Sequence, residues 1–292
     1  MFARLFSLIT LSVVSGFVIA STIVVSNRPL HSLATSVLEG VTTPILLLPN
    51  SQSLHFQNLK PSQALLARDA DRVYWLGPLV EPELSTFQST HWVDVSLHPS
   101  VIWRPIRAWG DQDQSHTSTR DPHIWLDLEN GKALVHAMAA DAGTTFPDQA
   151  SQINANARNL IVRIEQLDRT LAKRFEDSAR RGYAVSHDAY QYFEARYGLT
   201  SKAILSRDPH AGTSAFRVRL MADAIAKAEV SCLFSEPALS SRILKRLESE
   251  YAIPVIELDP LGFARAPGAE LYLELIEAIG DGFLDCFQRG KP

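Results

Sequence analysis

Residues 147–178 constrain the fold more than any other part of this 292-residue chain. Ile153, Ala157, Leu160, Ile164, Leu167, Leu171 and Phe175 recur there at steps of three and four. That spacing draws one apolar stripe along a helix. Pro147 suits a first helical turn, where its missing N–H is no loss, and Gly182 follows the end. At 1.5 Å per residue such a helix runs roughly 45 Å. This exceeds what one compact domain needs and predicts a strut between two lobes. A plain crossover helix inside one domain is the competing reading.

On both sides of the strut, short apolar runs alternate with helical patterns. Before it, residues 23–26, 44–48, 73–76 and 92–95 read as strands, with helices over 29–38, from Pro61 onward and over 128–141. After it, residues 183–186, 203–205, 232–234 and 255–258 read as strands, with helices over 190–197, 215–228, 239–251 and 269–288. Alternation of this kind predicts parallel sheets covered on both faces. The expected architecture is α/β: two Rossmann-like lobes, residues 21–146 and 180–292, joined by a linking helix over 147–179. With 46% hydrophobic and 21% charged residues the chain can fill cores of that size. A net charge of -4 and no long basic run argue against nucleic acid as a partner.

The N-terminus predicts export. Arg4 lies in a short leader, residues 6–20 are apolar and uncharged, and Val18-Ile19-Ala20 precedes Ser21-Thr22. These features match a secretory signal peptide over residues 1–20, cleaved near Ala20. The apolar run is short for a membrane span, although a retained anchor is the alternative. No Cys lies near the cleavage point for lipid attachment. In an exported chain the two cysteines, Cys232 and Cys286, suggest one disulfide; two reduced thiols are the alternative.

In open α/β sheets, ligands bind outside the carboxyl ends of the strands. His55 follows the second strand after Asn50-Ser51-Gln52-Ser53, His187 follows Val185-Ser186, and Asp259 precedes Pro260-Leu261-Gly262. His123 stands in Arg120-Asp121-Pro122-His123-Ile124-Trp125. There Pro122 fixes its own φ and biases Asp121 away from the helical region, holding the imidazole in a stiff frame. Taken singly, a strand-end histidine or an Asp-Pro turn reads as structural. Together, three imidazoles and one carboxylate make a tetrahedral donor set for Zn²⁺. A ligand imidazole commonly gives its other N–H to a carboxylate. Glu236, at a strand end, suits that role, whereas Asp188 reads as a helix cap and Trp125 as packing. His31 follows the first strand and reads as a non-ligand near the cleft. His91, His98, His136 and His210 read as surface or helix residues.

At this point the chain resembles the metal-binding solute-binding proteins of bacterial ABC importers, specifically the zinc-binding branch. The matching segments are His55 with Asn58-Leu59-Lys60-Pro61-Ser62, Ala70-Asp71-Arg72-Val73-Tyr74-Trp75-Leu76-Gly77 and Asp121-Pro122-His123-Ile124-Trp125-Leu126. His187-Asp188-Ala189-Tyr190 with Tyr192-Phe193, Phe234-Ser235-Glu236-Pro237 and Leu258-Asp259-Pro260-Leu261-Gly262 complete the set. The likeness covers nearly all of the chain beyond the signal. It implies two lobes joined by one rigid helix with the metal between them. It implies His55, His123 and His187 as zinc ligands, with Asp259 as the fourth ligand or a close neighbour. It implies a periplasmic monomer that carries Zn²⁺ to a membrane permease, and a bridge between Cys232 and Cys286. The manganese-binding branch is expected to carry a carboxylate where His187 stands, and a third imidazole suits Zn²⁺ better than Mn²⁺. A manganese- or iron-binding member is the runner-up. Many zinc-binding relatives carry a long loop rich in His and acidic residues before the Asp-Pro-His stretch. Here residues 104–120 hold only Asp111, Asp113 and His116, which puts a metal-gathering role in doubt.

A zinc hydrolase is the rival class, with Glu236 or Asp259 as base. No His-Glu-x-x-His or Gly-x-Ser-x-Gly run supports it, and a Cys-free set of four ligands favours holding and releasing a metal. The expectation is a binding protein, not an enzyme. A surface adhesin on the same fold is a third class, disfavoured by the absence of a lipid-attachable Cys.

Overall fold

The computed structural model describes residues 21–49, 53–54, 59–109, 120–178, 181–207, 213–237 and 242–289. The expected signal over 1–20, His55 and residues 110–119 of the polar loop lie outside them.

The first lobe carries β1 (Ile23–Val25), α1 (Arg28–Val37), β2 (Ile45–Leu46), α2 (Pro61–Asp69), β3 (Arg72–Trp75), α3 (Gly77–Val80), β4 (Trp92–Asp94) and α4 (Leu128–Thr145). Next comes α5 (Ala150–Glu176), 27 residues long. The second lobe carries β5 (Tyr183–His187), α6 (Gln191–Tyr197), β6 (Ala203–Ser206), α7 (Ala215–Ala226), β7 (Cys232–Ser235), α8 (Arg242–Tyr251), β8 (Val255–Glu257) and α9 (Leu271–Arg289). Each lobe holds a four-stranded sheet, in the orders β2-β1-β3-β4 and β6-β5-β7-β8. Every pairing is parallel. The chain is therefore two α/β lobes of one design joined by a long helix. Among the described residues no helix is long and apolar enough to cross a membrane.

The period of two along a strand distributes the cores. Ile23 and Val25 of β1, and Tyr183 and Val185 of β5, enter one hydrophobic core common to both lobes. Their alternates face away: Val24 joins Val73, Trp75 and Trp92 in an outer core, and Ala184 joins Leu205, Leu233 and Met221 in another. Helix α5 lies along the shared core, with Ile153, Ala157, Leu160, Ile164, Leu171 and Phe175 buried and Leu167 packed against them. The stripe read from sequence is thus the face that knits the lobes together. At the far end Phe175 stacks on Tyr197 at 5.0 Å.

The helix begins later than the 147–179 span read from sequence, because Pro147–Gln149 form a separate 3-10 turn before α5, which still holds the whole apolar stripe. Strand β2 keeps only two ladder residues, being an edge strand whose partner β1 is itself three residues long. The disulfide Cys232–Cys286 is present, tying β7 to α9 across 54 residues of chain.

Candidate metal centre

His187 is the last residue of β5 and is buried. Its Nδ1 faces the Glu236 carboxylate, 3.2 Å from Oε1 and 3.3 Å from Oε2. Glu236 directly follows β7, the strand paired to β5, so the parallel register delivers both side chains to one sheet edge. The Tyr190 hydroxyl donates to Glu236 Oε1 at 3.1 Å, and Glu236 is itself buried.

His123 comes from the other lobe and is equally buried. Asp121 frames it: one carboxylate oxygen accepts from the His123 backbone N–H at 2.9 Å and from ring Nδ1 at 2.8 Å. Pro122 between them has a fixed φ, and the chain bends there, with Ile124 N–H donating to Pro122 O at 2.9 Å. Ile124–Leu126 then form a 3-10 turn, and Asp127 caps α4 by accepting from Glu129 N–H. Trp125 is buried, and its Nε1–H donates to Pro260 O at 2.8 Å, a contact across the seam.

The two imidazoles meet between the lobes with ring centroids 4.9 Å apart and planes at 71°. With each Nδ1–H directed at a carboxylate, the lone pair falls on Nε2, the form in which imidazole binds a metal. Burial pushes the His123 imidazole down to about 3, helped by the nearby His187 charge. Burial also pulls on His187, but Glu236, Asp188 and Asp121 outweigh it and leave this imidazole raised. Burial lifts Asp121 to about 7. Of the two imidazoles, His187 is the one that takes up a proton more readily.

Asp259 is partly exposed, two residues beyond β8. Its Oδ1 accepts from Leu261 N–H at 3.1 Å and its Oδ2 from Ala264 N–H at 2.8 Å. Gly262 allows the bend with φ +66°. Of the four residues expected to bind metal, the structure thus brings His123 and His187 together, while Asp259 holds to its own loop. His55 lies outside the described residues. Among the described residues, no three or more His, Cys, Asp or Glu side chains form a metal-holding group.

Asp188 corrects an expectation. It caps no helix: its carboxylate takes Arg107 Nε–H at 2.8 Å and Trp109 Nε1–H at 2.6 Å, from a segment of the first lobe. Arg107 also pairs with Glu194. An ion pair between side chains 81 positions apart displaces the local capping role. His31 donates from Nε2 to Pro44 O at 3.0 Å, which makes it a core residue. His98 and His136 stack at 6.1 Å on the first lobe, His91 is held by Ser89 and Ala67, and His210 lies outside the described residues. The reading from sequence placed Asp121 and Tyr190 within matching segments but gave neither a role: Asp121 left a local signal, a carboxylate two residues before a proline-framed histidine, whereas the bond from Tyr190 to Glu236 depends on the fold.

The model of one protein family, ZnuA, the zinc-uptake complex component A periplasmic family, matches residues 23–286. The high-affinity zinc uptake system protein ZnuA of Brucella suis biovar 1 (strain 1330) is 27% identical over 306 residues, covering 91% of this chain and 92% of that relative. A crystal structure of ZnuA superposes with TM-score 0.78 at 19% identity, covering 92% of this chain and 99% of that one. The solute-binding protein FpvC from Pseudomonas aeruginosa, in complex with Mn²⁺, superposes with TM-score 0.79 at 18% identity, covering 92% and 99%. At these identities the two structures speak to the fold.

Proposed function

The chain belongs to the zinc-uptake complex component A periplasmic family, and from that premise we propose that it is an extracytoplasmic protein that binds Zn²⁺ between its lobes and delivers it to an ABC importer. The observation that carries this reading is the meeting of His123 and His187 from opposite lobes, each with a carboxylate on its Nδ1. Such outer partners orient a ligand imidazole and raise its basicity.

In this reading His55, His123 and His187 bind the ion and Asp259 completes the tetrahedron. The signal over residues 1–20 directs export and is cleaved near Ala20, and the monomeric protein works in the periplasm. Residues 21–146 and 180–292 are the lobes, and 147–179 the linking helix. Zn²⁺ is cargo here, so the protein is a carrier without catalytic turnover. An imidazole at position 187 favours Zn²⁺ over oxygen-seeking Mn²⁺.

Titration of the metal-stripped protein with Zn²⁺ and with Mn²⁺ tests the proposal. Zinc should bind with one-to-one stoichiometry and more tightly than manganese, and His187→Ala should abolish the preference. Tighter Mn²⁺ binding would transfer the protein to the manganese branch. Turnover of ester, peptide or phosphate substrates that vanishes in His187→Ala would favour a hydrolase.

A further inference from the structure

We infer that Arg28 is a positioning residue for the metal site: from the first lobe it sets where the Asp259 loop of the second lobe stands. This rests on the reading of Asp259 as a zinc ligand.

Arg28 opens α1, and its backbone is tightly located. Asn27 caps the helix, its Oδ1 accepting from Leu30 N–H at 3.0 Å. Asn27 Nδ2 in turn donates to Glu81 Oε1 at 3.2 Å. The fully buried Glu81 also takes Leu76 N–H at 2.8 Å and the Ser26 hydroxyl at 2.9 Å. The residue from which the Arg28 side chain projects is therefore tied to the tips of both β1 and β3.

From that anchor the guanidinium crosses the seam. Nη1 donates to Arg265 O at 2.8 Å and Gly262 O at 3.3 Å, while Nε donates to Pro49 O at 3.1 Å in its own lobe. The group lies 5.3 Å from the Phe263 ring centroid, a cation–π contact. The loop it grips is wound around Asp259: the Leu261 and Ala264 amides hold the carboxylate, and the Gly262 and Arg265 carbonyls are held by Arg28. One short segment thus faces its N–H groups to Asp259 and its C=O groups to Arg28. A shift of Gly262 moves the Leu261 amide, one peptide away, and with it the carboxylate. A planar fork of donors serves acceptors on both lobes at once, which a lysine ammonium does not reproduce.

The test compares Arg28→Gln, Asp259→Asn and the double variant, with His123→Ala as the control for the site. Zinc affinity is read by competition with a chromophoric chelator on metal-stripped protein, and apo melting is measured alongside. Arg28→Gln should bind zinc about tenfold more weakly, in line with losses of supporting partners at metal sites. Added to Asp259→Asn, it should cost less than about twofold more, because its effect runs through that carboxylate. Arg28→Lys should recover part of the loss and serves if the Gln variant does not fold. Wild-type affinity in a folded Arg28→Gln protein, or full multiplication of the two single effects, overturns the inference while leaving the site intact. Full zinc affinity in His123→Ala would instead bring down the site reading and this inference with it.

Discussion

Replacing Glu236 by Gln tests how the second lobe prepares its imidazole. The two side chains have the same shape, so the amide oxygen can still accept from His187 Nδ1 or from the Tyr190 hydroxyl, which the carboxylate now serves together at 3.2 and 3.1 Å. What is lost is charge. A hydrogen bond to a charged group contributes about 1.5–3 kcal/mol, against about 0.5–1.5 for a neutral one. The difference, about 1–1.5 kcal/mol, is roughly a tenfold loss of zinc affinity at neutral pH.

The same change should move the pH dependence the other way. In the native protein burial depresses His187, but the Glu236 charge and hydrogen bond, with help from Asp188 and Asp121, raise it above 6.5. Zinc must displace that proton, so native affinity should begin to fall above pH 6.5 on acidification. Burial is already the largest single influence on His187; without the Glu236 charge the remaining carboxylates offset less of it, and the onset of the fall moves to lower pH. His123, pushed down to about 3, stays neutral over this range. Chelator-competition titrations between pH 5 and 8 read both effects. The expected variant binds more weakly at pH 7.5 yet loses less on acidification. Affinity within about twofold of native, with an unmoved onset, would refute the idea that Glu236 acts through His187.

Two further outcomes concern stability. Burial raises Glu81 from 4.5 to about 7, so the folded state holds an extra proton inside that window. Its stabilising contribution is present below pH 4.5 and lost as pH rises through 7, by at most about 3 kcal/mol; Glu81→Gln should remove this slope from urea unfolding measured at pH 5 and pH 8. Reducing Cys232–Cys286 frees 54 residues of loop, which on chain entropy costs about 4 kcal/mol. Thermal melting with and without reductant should show a clear drop, and an unchanged midpoint would mean the bridge adds no constraint.

Much of this architecture was legible because its signals are local. The strut stripe from Ile153 to Phe175 is a helical period, and the four strands of each lobe are apolar runs bounded by turn residues. The strand-end rule found His187 and Glu236, since β5 and β7 are neighbours in one parallel sheet. What stayed hidden depends on folding at a distance. Asp188 stands just before a helix and looks like a cap, yet Arg107, 81 positions away, claims it. Arg28 looks like an ordinary first-turn residue until the Gly262 and Arg265 carbonyls, more than 230 positions on, arrive beside it.

The lobes also show how one plan was put to two uses. Strands β1 and β3 in the first lobe correspond to β5 and β7 in the second, the central pair of each sheet. In both lobes a buried glutamate sits at the carboxyl end of that pair. Glu81 binds Ser26, Asn27 and Leu76, all neutral donors that close the crevice onto α1. Glu236 binds Tyr190 and the His187 imidazole. The first lobe therefore presents no imidazole from its own crevice pair, and its described histidine at the seam, His123, comes from a loop outside the sheet. This explains why sheet topology alone locates His187, whereas His123 needs the proline and the aspartate of Asp121-Pro122-His123 to fix it. A sheet edge positions a side chain through its ladder; a loop must build that rigidity from its own sequence.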